Sequence, residues 1–274
     1  MRYFLLLLIL GTTVLTAQKK ETIELDVATL FGGEFETVLV TEKREELSFR
    51  DQEKLKYYYS QSQQYINNRE FDTALKFLSK SLKKEKNKKE LLQLRGNVYT
   101  ELQDYKKAAK DYKKALKVDP NDPVINYNYG NVLTKLGKYK ESVKYFTGAI
   151  ENRNNYMLAY QGRGVSLTMV ENFEAAVDDF NKVIDLNTFF LPAYKGRGIA
   201  KSLMFQYDQA ITDFNTCIAN DANDAQAYYY RGLGYVATND MLRACNDFNK
   251  SYSLGFVMAK LELKKTCGIK DMDF

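Results

Sequence analysis

The stretch GNVYTELQDYKKAAKDYKKALKVDPNDPVINYNYG, residues 96–130, begins and ends on a glycine. Gly96, Gly130, Gly164, Gly198 and Gly232 continue it at one spacing of 34 residues. A fixed period between about 20 and 50 residues marks a solenoid, in which each unit buries its apolar face only by stacking on its neighbours. Cutting the chain so that every glycine falls at position 8 gives six blocks: 55–88, 89–122, 123–156, 157–190, 191–224 and 225–258.

The blocks agree at further positions. Position 4 holds Tyr58, Tyr160, Tyr194 and Tyr228, with Leu92 and Asn126 in the other two. Position 20 is small throughout (Ala74, Ala108, Ser142, Ala176, Ala210, Ala244), and position 24 is large (Leu78, Tyr112, Phe146, Phe180, Phe214, Phe248). Small residues at 8 and 20 let two antiparallel helices approach, with the glycines expected to face position 20, while the bulky residues at 4 and 24 fill the flanks. Pro120, Pro123 and Pro192 all fall at block junctions, where a missing amide donor costs no helical hydrogen bond.

On these residues the blocks resemble tetratricopeptide repeats, whose pattern is an aromatic at 4, Gly at 8, Tyr at 11, Ala at 20, Phe or Tyr at 24, Ala at 27 and Pro at 32. Tyr58, Gly96, Tyr65, Ala108, Tyr112, Ala115 and Pro120 each supply one element. Ser62 departs from the glycine of block 1, and Val183, Cys217 and Ser251 depart from alanine at 27. The resemblance spans residues 55–258 and implies an all-α, right-handed α-solenoid of six helix pairs, helix A then helix B in each block. Residues 259–267 read as a C-terminal capping helix over the open apolar end, followed by a tail at 268–274.

Two positions switch together. Position 7 is arginine in four blocks (Arg95, Arg163, Arg197, Arg231), and position 23 is aspartate in the same four (Asp111, Asp179, Asp213, Asp247). Block 3 has Tyr129 with Tyr145, and block 1 has Gln61 with Phe77. The expectation is an ion pair between helices A and B of one repeat, worth ~0.2–1 kcal/mol if exposed.

The N-terminus reads as a secretory signal peptide: Met1-Arg2, an apolar run from Tyr3 to Leu10, and a small residue, Ala17, before Gln18-Lys19-Lys20. The apolar run is shorter than the roughly 20 residues a spanning helix needs, which favours cleavage after Ala17 over a retained anchor. An exported protein of bacterial type, periplasmic or in the cell envelope, is the expectation. Residues 18–54 form a nonrepetitive acidic leader in which alternation around Gly32-Gly33 reads as a β-hairpin. Both a docked cap and a free leader remain compatible with it. A helical pattern starts at Ser48, a candidate cap.

Export makes a disulfide compatible with the three cysteines. Cys245 lies early in the last helix B and Cys267 late in the antiparallel capping helix, so their ends should meet; Cys217 reads as a buried free thiol. The chain has no histidine, which removes His-based catalysis and the commonest zinc ligand. Gly162-Arg163-Gly164 and its relatives lie mid-helix without the strand a phosphate loop requires. No catalytic residue, cofactor or metal site is expected, and the chain does not read as an enzyme.

The net charge of +5 is uneven: Lys and Arg against Asp and Glu number 6 and 10 over residues 18–54, and 16 and 9 over 55–122. Lys106, Lys107, Lys110, Lys113, Lys114 and Lys117 fall on helix B of block 2. The interleaved Tyr105 and Tyr112 occupy framework positions and not stacking platforms, so no nucleic acid is expected. The face reads as solvated, or as a site for an acidic protein, an envelope polyanion or the chain's own leader.

The resemblance also implies a concave groove lined by helix A, here by Tyr59 and Gln63; Gln93 and Asn97; Tyr127, Asn128 and Asn131; Gln161 and Thr168; Lys195 and Ser202; and Tyr229 and Tyr230. Amides and tyrosines suit an extended peptide backbone. Asn97 and Asn128 match two places of the family's C-terminal carboxylate clamp, but Gln93, Leu158 and Gly162 stand where its cations belong, so carboxylate capture is not implied. The expected function is a scaffold that binds a protein or peptide segment to support an envelope assembly; the alternative is a spacer that interacts through its convex face and ends.

Overall fold

The structure, a computed structural model, describes residues 49–85 and 88–268. The signal segment, the hairpin reading, Ser48 and the tail beyond Gly268 lie outside them. The described residues hold thirteen α-helices and no strand. They fall into two compact units that divide between Pro120 and Asn121.

The first unit contains α1 (Phe49–Asn67), α2 (Phe71–Lys84), α3 (Lys89–Glu101) and α4 (Tyr105–Val118), each packed on the next. The second contains α5 (Pro123–Lys135), α6 (Tyr139–Asn152), α7 (Met157–Met169), α8 (Phe173–Leu186), α9 (Leu191–Leu203), α10 (Tyr207–Asn220), α11 (Ala225–Ala237), α12 (Met241–Ser253) and α13 (Met258–Cys267). Here too each helix packs on the next, and α5, α7, α9 and α11 also pack in sequence. Asp104, Asp122, Asp224 and Asp240 cap the first turns of α4, α5, α11 and α12 by accepting backbone N–H bonds.

Within each block the small residue at position 20 is fully buried. The glycines at position 8, however, answer position 24 and not position 20. A methyl group on Gly96 would come within 2.7 Å of the Tyr112 ring, and one on Gly198 within 2.7 Å of Phe214. The ring crosses over the helix A backbone, and only a residue without a Cβ leaves it room. Block 1 has no ring at 24, and there Ser62 and Leu78 are both fully buried.

Every helix A to helix B turn closes in the same way. The residue at position 15 is left-handed in all six blocks: Arg69, Gln103, Gly137, Glu171, Phe205 and Asn239, with φ from 58° to 73°. The following amide donates back to the carbonyl at position 11, as from Gln206 to Lys201 at 2.9 Å. This six-to-one bond is the Schellman closure of a helix end. Five of the six blocks hold it without glycine, although L residues lose roughly 1–2 kcal/mol there.

The four Arg–Asp pairs form inside their repeats, each bidentate. Arg95 donates from Nε and Nη2 to Asp111 at 2.6 and 2.8 Å, and Arg163, Arg197 and Arg231 do the same to Asp179, Asp213 and Asp247. Asp213 also receives Lys201 at 3.0 Å. These pairs are not surface pairs: the Asp213 side chain is 3% exposed. Burial pushes the Asp179 carboxyl above its ordinary value, outweighing the Arg163 hydrogen bonds. In block 3 the rings of Tyr129 and Tyr145 meet at 4.4 Å in their place.

A third guanidinium bond was not anticipated. Nη1 of each arginine reaches position 25 of the preceding block: Ser79 from Arg95, Thr147 from Arg163, Asn181 from Arg197 and Asn215 from Arg231. The signal is present in the sequence, because position 25 is a short polar residue wherever the next block carries the arginine, and is Lys113 where the next block carries Tyr129. Cys245 and Cys267 are joined, with Cα atoms 5.8 Å apart, and tie α12 to α13. Cys217 is free and fully buried, and burial pushes its thiol up to about 12.

Candidate functional site

The helix A residues at the groove positions differ in how much of their chemistry is already used. In the first unit Gln63 donates to the Tyr59 hydroxyl at 3.1 Å. Asn97 accepts from the buried Tyr112 hydroxyl at 2.6 Å, and Thr100 lies 3.3 Å from the same oxygen. A tyrosine at position 24 therefore recruits a groove amide to satisfy its hydroxyl, since a buried O–H left alone is costly. Gln93 is half-buried on the same helix.

In the second unit the Tyr127 ring packs 5.0 Å from Tyr156 and 6.1 Å from Phe146, and its hydroxyl is hydrogen-bonded to Asn131. Burial raises the Tyr127 phenol. Asn128 is half-buried on α5. On α7, which packs on α5, the Gln161 side-chain oxygen is buried and has no hydrogen-bond partner among the described residues.

Four groove residues named from the sequence are not available. Tyr229 is 1% exposed, with its ring 5.0 Å from Phe256 and 5.9 Å from Phe248. Phe256, in the turn leading into α13, covers the last helix A, as Tyr156, in the turn leading into α7, packs on Tyr127 in block 3. Tyr230 and Thr168 are buried as well. Lys195 is not an open cation: its Nζ lies 2.7 Å from Asp224, the last residue of its own block, and donates to Gln226 of the next block at 3.3 Å. The surviving cluster of the second unit is Tyr127, Asn128, Asn131 and Gln161 on α5 and α7. It can offer hydrogen bonds and a rigid ring to a main chain.

Two family models match the chain, one for "TPR repeat" over residues 96–137 and one for "Tetratricopeptide repeat" over residues 124–156. Residues 96–156 are thereby matched to the tetratricopeptide repeat family, and the fold of the second unit continues the same helix pairs. No curated protein matches it. Among solved structures it is similar to a tetratricopeptide repeat protein from Parabacteroides merdae, with 19% identity over 80% of this chain and 94% of that one, at a TM-score of 0.67. It is also similar to MamA, with 25% identity over 60% of this chain and 96% of that one, at 0.55. YrrB, titled a TPR protein with an unusual peptide-binding site, has 22% identity over 69% of this chain and 97% of that one, at 0.59.

Proposed function

We propose that the chain is an exported, non-catalytic scaffold whose helix A face in the second unit binds an extended protein segment and so supports an envelope assembly. The observation that carries this reading is the Gln161 side-chain oxygen at a groove position, buried with no donor to accept from among the described residues. A buried amide oxygen without a donor is disfavoured by roughly 1–3 kcal/mol, and turning the half-buried Gln161 amide outward to accept a peptide N–H removes that deficit. The likeness to YrrB, a peptide-binding protein by its title, supports the same class of partner. Export rests on the N-terminal pattern, with cleavage after Ala17 and the Cys245–Cys267 bond formed in an oxidising compartment.

The test is crosslinking in the intact envelope, followed by mass spectrometry of the captured partner and binding by groove variants. Gln161→Ala is expected to weaken that partner at least tenfold while the melting temperature stays within about 2 °C. Unchanged binding would assign the partner to the helix B face or the ends of the array, which is the spacer reading. Recovery of the chain with residues 1–17 still attached would sink the cleavage.

A further inference from the structure

In a repeat protein the blocks are controls for one another, since equivalent positions share one backbone setting. At positions 18, 19, 22, 25, 26 and 29 of helix B, block 2 has lysine six times: Lys106, Lys107, Lys110, Lys113, Lys114 and Lys117. No other block has more than three cations there, and block 4 has Glu174, Asp178 and Asp185 at three of the six. The fold therefore does not ask for these lysines. All six are exposed on α4. Several are spaced by three or four residues, the separation at which like charges on a helix repel.

The lysine face also lacks internal relief. Lys107 pairs with the cap Asp104 at 2.6 Å, but no carboxylate among the described residues pairs with Lys106, Lys110, Lys113, Lys114 or Lys117. The one aspartate within α4, Asp111, is buried against Arg95. Lysine rather than arginine, with no exposed aromatic beside it, points to diffuse attraction for carboxylates and not to bidentate reading of one phosphate.

The chain itself carries the matching charge. Residues 18–48, outside the described residues, hold eight carboxylates against four cations. Where this segment joins the fold is informative. Asp51, in the first turn of α1, bonds Lys84 in the last turn of α2 at 2.7 Å. Successive packed helices run antiparallel, so α4 is parallel to α2 and its end bearing Lys113, Lys114 and Lys117 lies on the side from which the leader departs. Glu45 and Glu46 are within about 15 Å of chain from Phe49. A tethered segment of this length acts at roughly millimolar effective concentration, ahead of any dilute outside anion.

We infer that the acidic leader docks on the lysine face of α4 and masks it until salt or a competing polyanion displaces it. The test is zero-length carbodiimide coupling of the chain as isolated, with the coupled pairs mapped by mass spectrometry. Leader carboxylates are expected to couple mainly to Lys110, Lys113, Lys114 and Lys117. The yield should fall at least fivefold in 0.5 M NaCl, and equally in a Lys110→Gln, Lys113→Gln, Lys114→Gln variant whose melting curve is unchanged. Coupling spread evenly over exposed lysines such as Lys140, Lys144 and Lys250 of the second unit overturns the proposal.

A second measurement uses anionic phospholipid vesicles as the probe. Changing the eight leader carboxylates to amides is expected to raise vesicle binding at least tenfold. Equal binding with and without those charges would mean that the face is open to an outside surface, and the leader would lose its role.

Discussion

Block 3 joins its two helices at positions 7 and 23 through Tyr129 and Tyr145, ring centroids 4.4 Å apart, whereas block 4 joins them through Arg163 and Asp179 at 2.7 and 2.8 Å. The two hairpins have helices of the same lengths and the same left-handed turn residue position, Gly137 and Glu171. One contact is apolar and forgiving, worth ~0.5–1.5 kcal/mol beyond its buried area. The other is a desolvated charge pair whose net value is small while intact but whose breakage strands a charge. The unit of sequence information is thus the pair, and either member alone says little.

The sharpest way to break this comparison is to remove half of the ionic version. Asp179→Ala leaves the Arg163 guanidinium without its carboxylate and is expected to cost ~3–5 kcal/mol in denaturant unfolding. Arg163→Tyr combined with Asp179→Tyr copies block 3 into block 4 and should cost less than half as much. An equal loss would show that the aromatic solution depends on surroundings that only block 3 has.

The same pairing logic applies to positions 8 and 24. Gly198→Ser pushes a Cβ into the Phe214 ring, which an unmutated backbone leaves only 2.7 Å away, and should destabilise by ~1–3 kcal/mol. Adding Phe214→Leu recreates the Ser62 and Leu78 combination of block 1. The two changes together are expected to cost at least ~1 kcal/mol less than the sum of the singles, and simple additivity would detach position 8 from position 24.

A smaller effect runs the other way. Phe205 holds the left-handed turn position with its ring 68% exposed, so Phe205→Gly should raise stability by about 1 kcal/mol. Gly137→Phe in block 3 should lower it by a similar amount, as read by thermal unfolding.

The mildest expectation concerns Cys217. Its folded thiol titrates at about 12 against an ordinary 9.0, so the folded state keeps a proton that the unfolded state releases. That contribution is fully present below pH 9, and it is lost as pH rises towards 12. Cys217→Ala should flatten the alkaline fall in stability. Alkylation of the unfolded, unreduced chain should modify one thiol, and two or more would deny the Cys245–Cys267 bond.

Much of this architecture is legible in the residues because each framework contact recurs. The 34-residue register, the small position 20 and the Arg–Asp coupling all repeat often enough to separate rule from accident. Position 15 was opaque because its requirement is met by backbone hydrogen bonds, which leave Arg69, Gln103, Glu171 and Phe205 with no shared side chain. The groove was legible only in part. Tyr229 occupies a groove position by number, yet Phe256, 27 residues on, covers it. Lys195 stands at a groove position by number, but Asp224, which pairs with it, lies 29 residues away at the far end of the same block.

The third guanidinium bond has a consequence for how the second unit comes apart. Thr147 to Arg163, Asn181 to Arg197 and Asn215 to Arg231 each cross the seam between one repeat and the next. In a one-dimensional array the ratio of seam energy to intrinsic repeat energy sets how many repeats open together. Three polar stitches in a row enlarge that cooperative length, so amide exchange across α6 to α11 should proceed through one shared opening event and not repeat by repeat.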